Sequence, residues 1–216
     1  MLDKNVKRTL KHIPPSKIEK NPANPRMVFR QEEMDKLLVS IDQHGIQVPL
    51  TVYEDNGKFI LIDGERRWRC ALKLNIKTIP ALVQDKPTEL ENLLLMSNIH
   101  ALREQWDYFT IAMNLEKIIE LFITDKGYEP NEIELSEESG LARGQIRRCK
   151  YLLEMPERFK KMLLEELKLP KSQQKLSEDL FIEMERSIRT VTKRLPDFED
   201  HLENIRDTLV EKYKNC

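Results

Sequence analysis

Between positions 60 and 72 the chain reads Ile60-Leu61-Ile62-Asp63-Gly64-Glu65-Arg66-Arg67-Trp68-Arg69-Cys70-Ala71-Leu72, an apolar run that breaks at a glycine and becomes an arginine-loaded helix. A strand that feeds a helix through glycine leaves the first N–H groups of that helix pointing at whatever lies above its start. Three guanidiniums in the opening turns add charge and forked donors suited to phosphate oxygens. That is a polyphosphate site in outline. A plainer reading stands beside it: arginines in a first helical turn are usually solvated and oppose the positive end of the helix dipole, while Glu65 favours that dipole and can pair with Arg69 at i+4. From these residues alone both readings stay open.

The elements that must position this stretch follow from periodicity. Met34, Leu37, Leu38 and Ile41 fall at i, i+3, i+4 and i+7, which predicts an amphipathic helix ending at Gly45. Val48 to Glu54 and Lys58 to Asp63 are β-rich and flank Asp55-Asn56-Gly57, a hairpin signature. The arginine-rich helix should run from Glu65 to Leu74, and Thr78 to Val83 reads as a further short strand. After Thr88 strand signals vanish. Leu90, Leu93, Leu94 and Asn98 share one helix, and Ile111, Leu115, Ile118 and Phe122 mark another.

A second constellation runs from Glu132 to Leu153 and fits a helix-turn-helix. Ser136 is small enough for two helices to cross closely, Gly140 makes the turn, and Leu141, Ile146 and Leu153 face the core. Arg143 opens the second helix, and Gln145, Arg147, Arg148 and Lys150 are then left facing outward, suited to phosphates and base edges. The bland alternative is an αα-hairpin with a solvated basic face. Further on, Phe181, Met184, Ile188 and Val191 keep helical spacing, and after Pro196 the pattern restarts with Phe198, Leu202, Ile205 and Leu209.

The 216 residues, 34% charged and 40% hydrophobic with a mean hydropathy of −0.56, suit a soluble globular protein of one large or two small domains. No run approaches a membrane span, and Met1-Leu2-Asp3-Lys4 does not open a signal peptide. Cys70, Cys149 and Cys216 are far apart and odd in number, which suits a reducing cytoplasm and makes neither a disulfide framework nor a zinc motif. A net charge of −1 argues against a uniformly basic nucleic-acid binder, yet the charge is uneven. Basic islands lie in residues 1–20, in 64–77 and in 141–151, the last without an acid. There is no G-x-x-x-x-G-K-S/T loop, and His12, His44, His100 and His201 lack metal-ligand spacing.

The boxes Asn24-Pro25-Arg26, Ser40-Ile41-Asp42-Gln43-His44-Gly45-Ile46-Gln47-Val48-Pro49-Leu50-Thr51-Val52 and Gly64-Glu65-Arg66-Arg67 together resemble the N-terminal domain of ParB-type partition proteins in order, spacing and residue type. The resemblance covers roughly residues 12 to 165, since Leu152-Leu153-Glu154-Met155-Pro156 also resembles the segment that closes the family's helix-turn-helix. It implies an α+β chain: a small mixed-sheet, ParB/sulfiredoxin-like nucleotide-binding domain over residues 1–86, an all-α helix-turn-helix domain over 87–170 and C-terminal helices over 171–216.

What else the resemblance implies is a nucleotide, CTP, with Mg²⁺, held by Gly64, Glu65, Arg66, Arg67, Gln47 and Asn98, with Asn98 as the metal ligand. Double-stranded DNA would meet Arg143, Gln145, Arg147, Arg148 and Lys150. A homodimer, a partition ATPase at the basic N-terminus and a cytoplasmic, nucleoid- or plasmid-associated location belong to the same picture, with nucleotide biasing the N-terminal domains toward closure on DNA. The third family box departs here. Where ParB-type CTPases carry E-N-x-x-R, this chain has Ser97-Asn98-Ile99-His100-Ala101, with Arg103 able to replace the lost guanidinium only after a local shift. A serine is no carboxylate base, so the catalytic residue is unknown and slow CTP turnover at most is expected. A sulfiredoxin-like reductase would need a cysteine where Glu65 stands. The alternative from another class is a ParB-fold nuclease of a mobile-element or defence system, for which Asp63 and Glu65 alone make a poor metal cluster. The tail shows no convincing copy of the family's dimerisation domain; either these helices take that role or the chain is a fragment of something longer.

Overall fold

The computed structural model describes residues 7–101, 106–195, 197 and 201–214, without the side chains of residues 100 and 101. Expectations that rest on Lys4, His100, Ala101, Arg103, Phe198 or Cys216 lie outside the described residues or side chains. The chain opens with β1 (Thr9–Ile13), a 3₁₀ turn and the two-residue β2 (Ile18–Glu19), and then α1 (Gln31–His44). The hairpin β3 (Leu50–Asp55) and β4 (Lys58–Asp63) turns at Asn56 and Gly57, both with positive φ. It is followed by α2 (Glu65–Lys73) and β5 (Ile79–Gln84). The five strands form one mixed sheet in the order β1-β5-β3-β4-β2, with β1–β5 and β3–β4 antiparallel, and β3–β5 and β2–β4 parallel.

The period-2 pattern of the hairpin serves both faces of this sheet. Val52 and Leu61 join Leu50, Ala71, Ile79 and Ala81 in one cluster, whereas Tyr53 and Ile62, one residue on, belong to a second cluster shared with the helices. Those helices are α3 (Glu89–Ala101), α4 (Tyr108–Lys126), α5 (Glu132–Ser139), α6 (Arg143–Glu154), α7 (Glu157–Lys168), α8 (Glu178–Arg194) and α9 (Leu202–Lys214). Leu93, Leu94 and Met96 of α3 are buried in the same cluster as Tyr53 and Ile62, so the passage from sheet to helices is a packed one. In the tail Leu202 and Leu209 of the expected stripe pack half-buried against the core, Val210 and Arg206 are buried beside them, and Arg206 makes a two-pronged ion pair with buried Glu185 at 2.7 and 2.8 Å. No helix among the described residues is long and apolar enough to cross a membrane.

The start of α8 is tied to the start of α4. Glu178 accepts from the Phe109 N–H at 2.7 Å, beside Asp107, which caps the same helix by accepting from Thr110 N at 2.8 Å. Burial, reinforced by the Asp107 charge, pushes the Glu178 carboxyl up to about 7. A carboxyl with a folded pKa above its unfolded value binds more protons in the folded state. Stability is then highest below the unfolded value and falls as pH rises toward the folded one. Glu178→Gln should therefore flatten the fall in Tm between about pH 4 and pH 7; an unchanged slope would place the titration on another group.

Candidate functional site

Strand β4 passes into α2 through Gly64, whose φ of 100° is left-handed. A β-carbon there would stand 2.7 Å from Leu50 Cγ and 3.2 Å from an Arg67 guanidinium nitrogen, so conformation and space both demand glycine. No side chain caps the N-terminus of α2, and its opening residues line a cavity of about 270 Å³. Asn24, Arg26, Phe29, Arg66, Arg67 and Trp106 make much of the remaining wall. The N-terminal end of α2, positive by its dipole, and the guanidiniums of Arg26, Arg66 and Arg67 meet at one space.

Each charged group has a definite role. Arg26 donates through Nε to the Val28 carbonyl at 3.1 Å and lies 5.2 Å from the centre of the Phe29 ring, which Arg69 approaches from 4.3 Å. Burial, reinforced by the neighbouring Arg66, lowers the pKa of Arg26, which marks a cation that an anionic ligand would stabilise. Arg66 donates to the Glu33 carbonyl at 3.1 Å and pairs with its carboxylate at 3.3 Å. Glu65 is held by Asn24 at 2.7 Å and by Arg69 at 2.6 Å. Arg67, expected as a direct ligand, lines the cavity but donates to the Val48 and Pro49 carbonyls and to Asp63 at 2.8 Å. It braces the segment before β3 against the end of β4.

Two expected nucleotide contacts fall outside this cavity wall. Gln47 is exposed and donates to the His44 carbonyl. Asn98 donates to the Leu94 carbonyl at 3.0 Å and to the Glu138 carbonyl at 3.1 Å, against the helix-turn-helix corner. Asp63 and Glu65 are each engaged by arginine, and among the described residues no group of three or more His, Cys, Asp or Glu side chains could hold a metal ion. The cavity brings Arg26, Arg66 and Arg67 together, and Asn98, expected as the Mg²⁺ ligand, is not among the residues that line it.

In the helix-turn-helix, α5 is capped by Asn131, which accepts from the Ile133 and Glu134 N–H groups while Glu134 reaches back to Asn131 N. It ends at Gly140, φ 73°. Ile146, Cys149 and Leu152 are the buried positions of α6, and half-buried Leu153 packs against the same core as expected; burial pushes the Cys149 thiol up to about 12. Ser139 is the fully buried serine of α5, while Ser136 is only half-buried and donates to the Leu141 carbonyl at 2.7 Å. Arg143 and Arg147 are exposed and share Glu132 at 3.9 and 2.9 Å. Gln145 accepts from the Ala142 N–H at 2.9 Å, and Lys150 is half-buried. Arg148 departs from the expected outward face. It pairs with Asp179 of α8 and lies 4.7 Å from the centre of the Tyr108 ring, tying α6 to α8 and α4.

Known proteins share these features. The model of the ParB N-terminal domain family matches residues 1–99, and curated relatives extend the similarity through the helices. The chain belongs to the ParB family. A nucleoid occlusion protein of Geobacillus sp. (strain WCH70) is 32% identical over 165 residues, 76% of this chain and 56% of the relative. That of Bacillus cereus (strain B4264) is 33% identical over 167 residues, 76% of this chain and 54% of the relative. The chain thus spans little more than half the length of these ParB-family relatives. Among solved structures, a Pnob8-like ParB N-domain aligns with a TM-score of 0.60 at 16% identity, covering 98% of this chain and 96% of that one. The C-terminally truncated ParB of Caulobacter crescentus, complexed to the centromeric parS site, aligns at 0.54 and 20% identity, covering 94% and 99%. These two likenesses establish a shared ParB fold.

All three ParB-like boxes meet at the cavity, through Asn24 and Arg26, through Val48, and through Gly64 to Arg67. Phe29, Trp106, Asn24 and Arg26 were not expected as site residues; the Asn24-Pro25-Arg26 box and the Phe29 that follows it were the sequence signal for all but Trp106. Because Arg67 holds largely buried Asp63 and two carbonyls, Arg67→Ala should lower the unfolding free energy by about 1.5–3 kcal/mol in nucleotide-free buffer. Arg66→Ala, which releases only Glu33 on the surface, should cost less than about 1 kcal/mol. Urea denaturation of the two variants measures the difference, and equal midpoints would contradict the bracing role.

Proposed function

We propose that the chain is a nucleotide-responsive, DNA-binding protein of the ParB family, serving DNA partition or nucleoid occlusion. The observation that carries this reading is the uncapped start of α2, opened by Gly64 into a cavity walled by Arg26, Arg66 and Arg67. Backbone donors and guanidiniums there suit the phosphates of a nucleoside triphosphate, and the resemblance to ParB-type proteins favours CTP. Arg26 and Arg66 are the direct phosphate partners and Arg67 a bracing residue: Arg67 holds Asp63 and two carbonyls, whereas Arg66 holds Glu33 alone and Arg26 the Val28 carbonyl.

Duplex DNA is read by α6. Arg143, Gln145, Arg147 and Lys150 make the contact face, with phosphate displacing Glu132 from the two arginines, while Arg148 holds α6 in place through Asp179. The fold is shared with a ParB crystallised on its parS site. A homodimer, a partition ATPase at the basic N-terminus and residence on nucleoid or plasmid belong to this proposal. Ser97 is buried at 2% exposure within α3, which fits nucleotide binding with slow turnover better than a catalytic position. The nuclease reading draws no support from the site, because Asp63 and Glu65 are both engaged by arginine.

Calorimetry with the four ribonucleoside triphosphates, with and without duplex DNA, tests the nucleotide. CTP should bind best, and Arg66→Ala should cost about 1.5–3 kcal/mol of that affinity, the range for a charge-assisted contact. No heat with any triphosphate would remove the site from α2. For DNA, Arg147→Gln should weaken duplex binding and reduce the slope of log K against log salt by about 0.9, the loss of one phosphate contact. An unchanged slope would return α6 to the role of an ordinary surface helix.

A further inference from the structure

Helix α3 runs between the sheet and the helix-turn-helix, and asparagine amides fix it at two points. Toward its N-terminal end, Asn92 and Asn21 exchange hydrogen bonds, the Nδ2 of each donating to the Oδ1 of the other at 3.0 and 3.2 Å, and both residues are buried. A buried reciprocal pair of this kind is costly to break, because each lost partner leaves a desolvated amide. Asn21 also accepts from Ala23 N at 3.0 Å, and Asn24 beyond it donates to Glu65 in the cavity wall.

Near the other end stands Asn98. Both protons of its amide are used: one bond returns to Leu94 of its own helix and the other crosses to the Glu138 carbonyl near the end of α5. Its Oδ1 occupies the space in which a β-carbon on Gly140 would sit. Position 140 is therefore reserved for glycine twice over, by its left-handed φ of 73° and by the Asn98 side chain. The α5–α6 corner is built around this amide.

We infer that Asn98 is a positioning residue of the helix-turn-helix, one that fixes the corner at Gly140 and with it the angle at which α6 presents Arg143 and Arg147. It is not a metal ligand in this conformation. Its Nδ2 is committed to Leu94 and Glu138, its Oδ1 lies against Gly140, and Asn98 does not line the cavity at the start of α2. The consequence for DNA rests on the proposed function. The corner itself does not.

The test uses the full chain, free of nucleotide and treated with chelator, so that a metal-ligand role cannot contribute. Hydrogen exchange at the Gly140, Leu141 and Ala142 amides should become roughly 3- to 10-fold faster in Asn98→Ala, the effect of losing a hydrogen bond that closes the corner. Duplex affinity should fall in the same buffer. Unchanged exchange at these amides would overturn the inference. Gly140→Ala provides a second arm that does not depend on Asn98→Ala folding well: it should be severely destabilised alone and less so combined with Asn98→Ala, whereas additive effects would overturn the proposed contact. If the wild type binds no duplex, the DNA-binding reading fails while exchange at the corner still decides the role of Asn98.

Discussion

Strand β4 can enter α2 only through a residue without a side chain, because Leu50 Cγ stands where a β-carbon on Gly64 would go and the backbone there is left-handed. That contact presses the start of α2 onto the sheet. Gly64 has no side chain with which to cap the helix, and the first residues of α2 line the cavity. Arg67 maintains the arrangement by clamping Asp63, at the end of β4, to the carbonyls that lead into β3. The proposed anion site is thus a product of strand-to-helix geometry first and of arginine charge second.

The arginines divide by what they already hold. Arg67 and Arg148 are internal struts, one within the sheet domain and the other between α6 and α8. Arg26 is a half-buried cation whose proton is disfavoured first by burial and next by the charge of Arg66, and Arg143 and Arg147 share a single carboxylate on the surface. An incoming phosphate gains most at the second kind, where it relieves like-charge repulsion or replaces a screened surface pair. A basic segment read as one patch in the sequence therefore does two jobs in the structure.

Much of this was legible in the chain. The alternation in Val48 to Glu54 and Lys58 to Asp63, the Gly-Glu-Arg-Arg turn, and the Gly140 corner each follow from local chemistry, and the helices that hold them lie where periodicity puts them. Strand β1 was not legible because four of its five residues are exposed on the sheet edge, so no apolar alternation marks it. Strand β2 has only two residues, and α7 begins directly after Pro156, which reads as an end rather than a start. The roles of Arg67, Arg148 and Asn98 depend on carbonyls, rings and carboxylates far away in sequence. Residue type and spacing carry no record of those partners.

The account rests on phosphates meeting the backbone at the start of α2. The most direct measurement is the amide ¹⁵N–¹H spectrum of the isotope-labelled chain titrated with CTP. Saturable shifts should be largest at the Glu65, Arg66 and Arg67 amides, the signature of donors turned onto an anion. Shifts that spare those amides while nucleotide binds elsewhere, or a spectrum that CTP leaves unaltered, would contradict it.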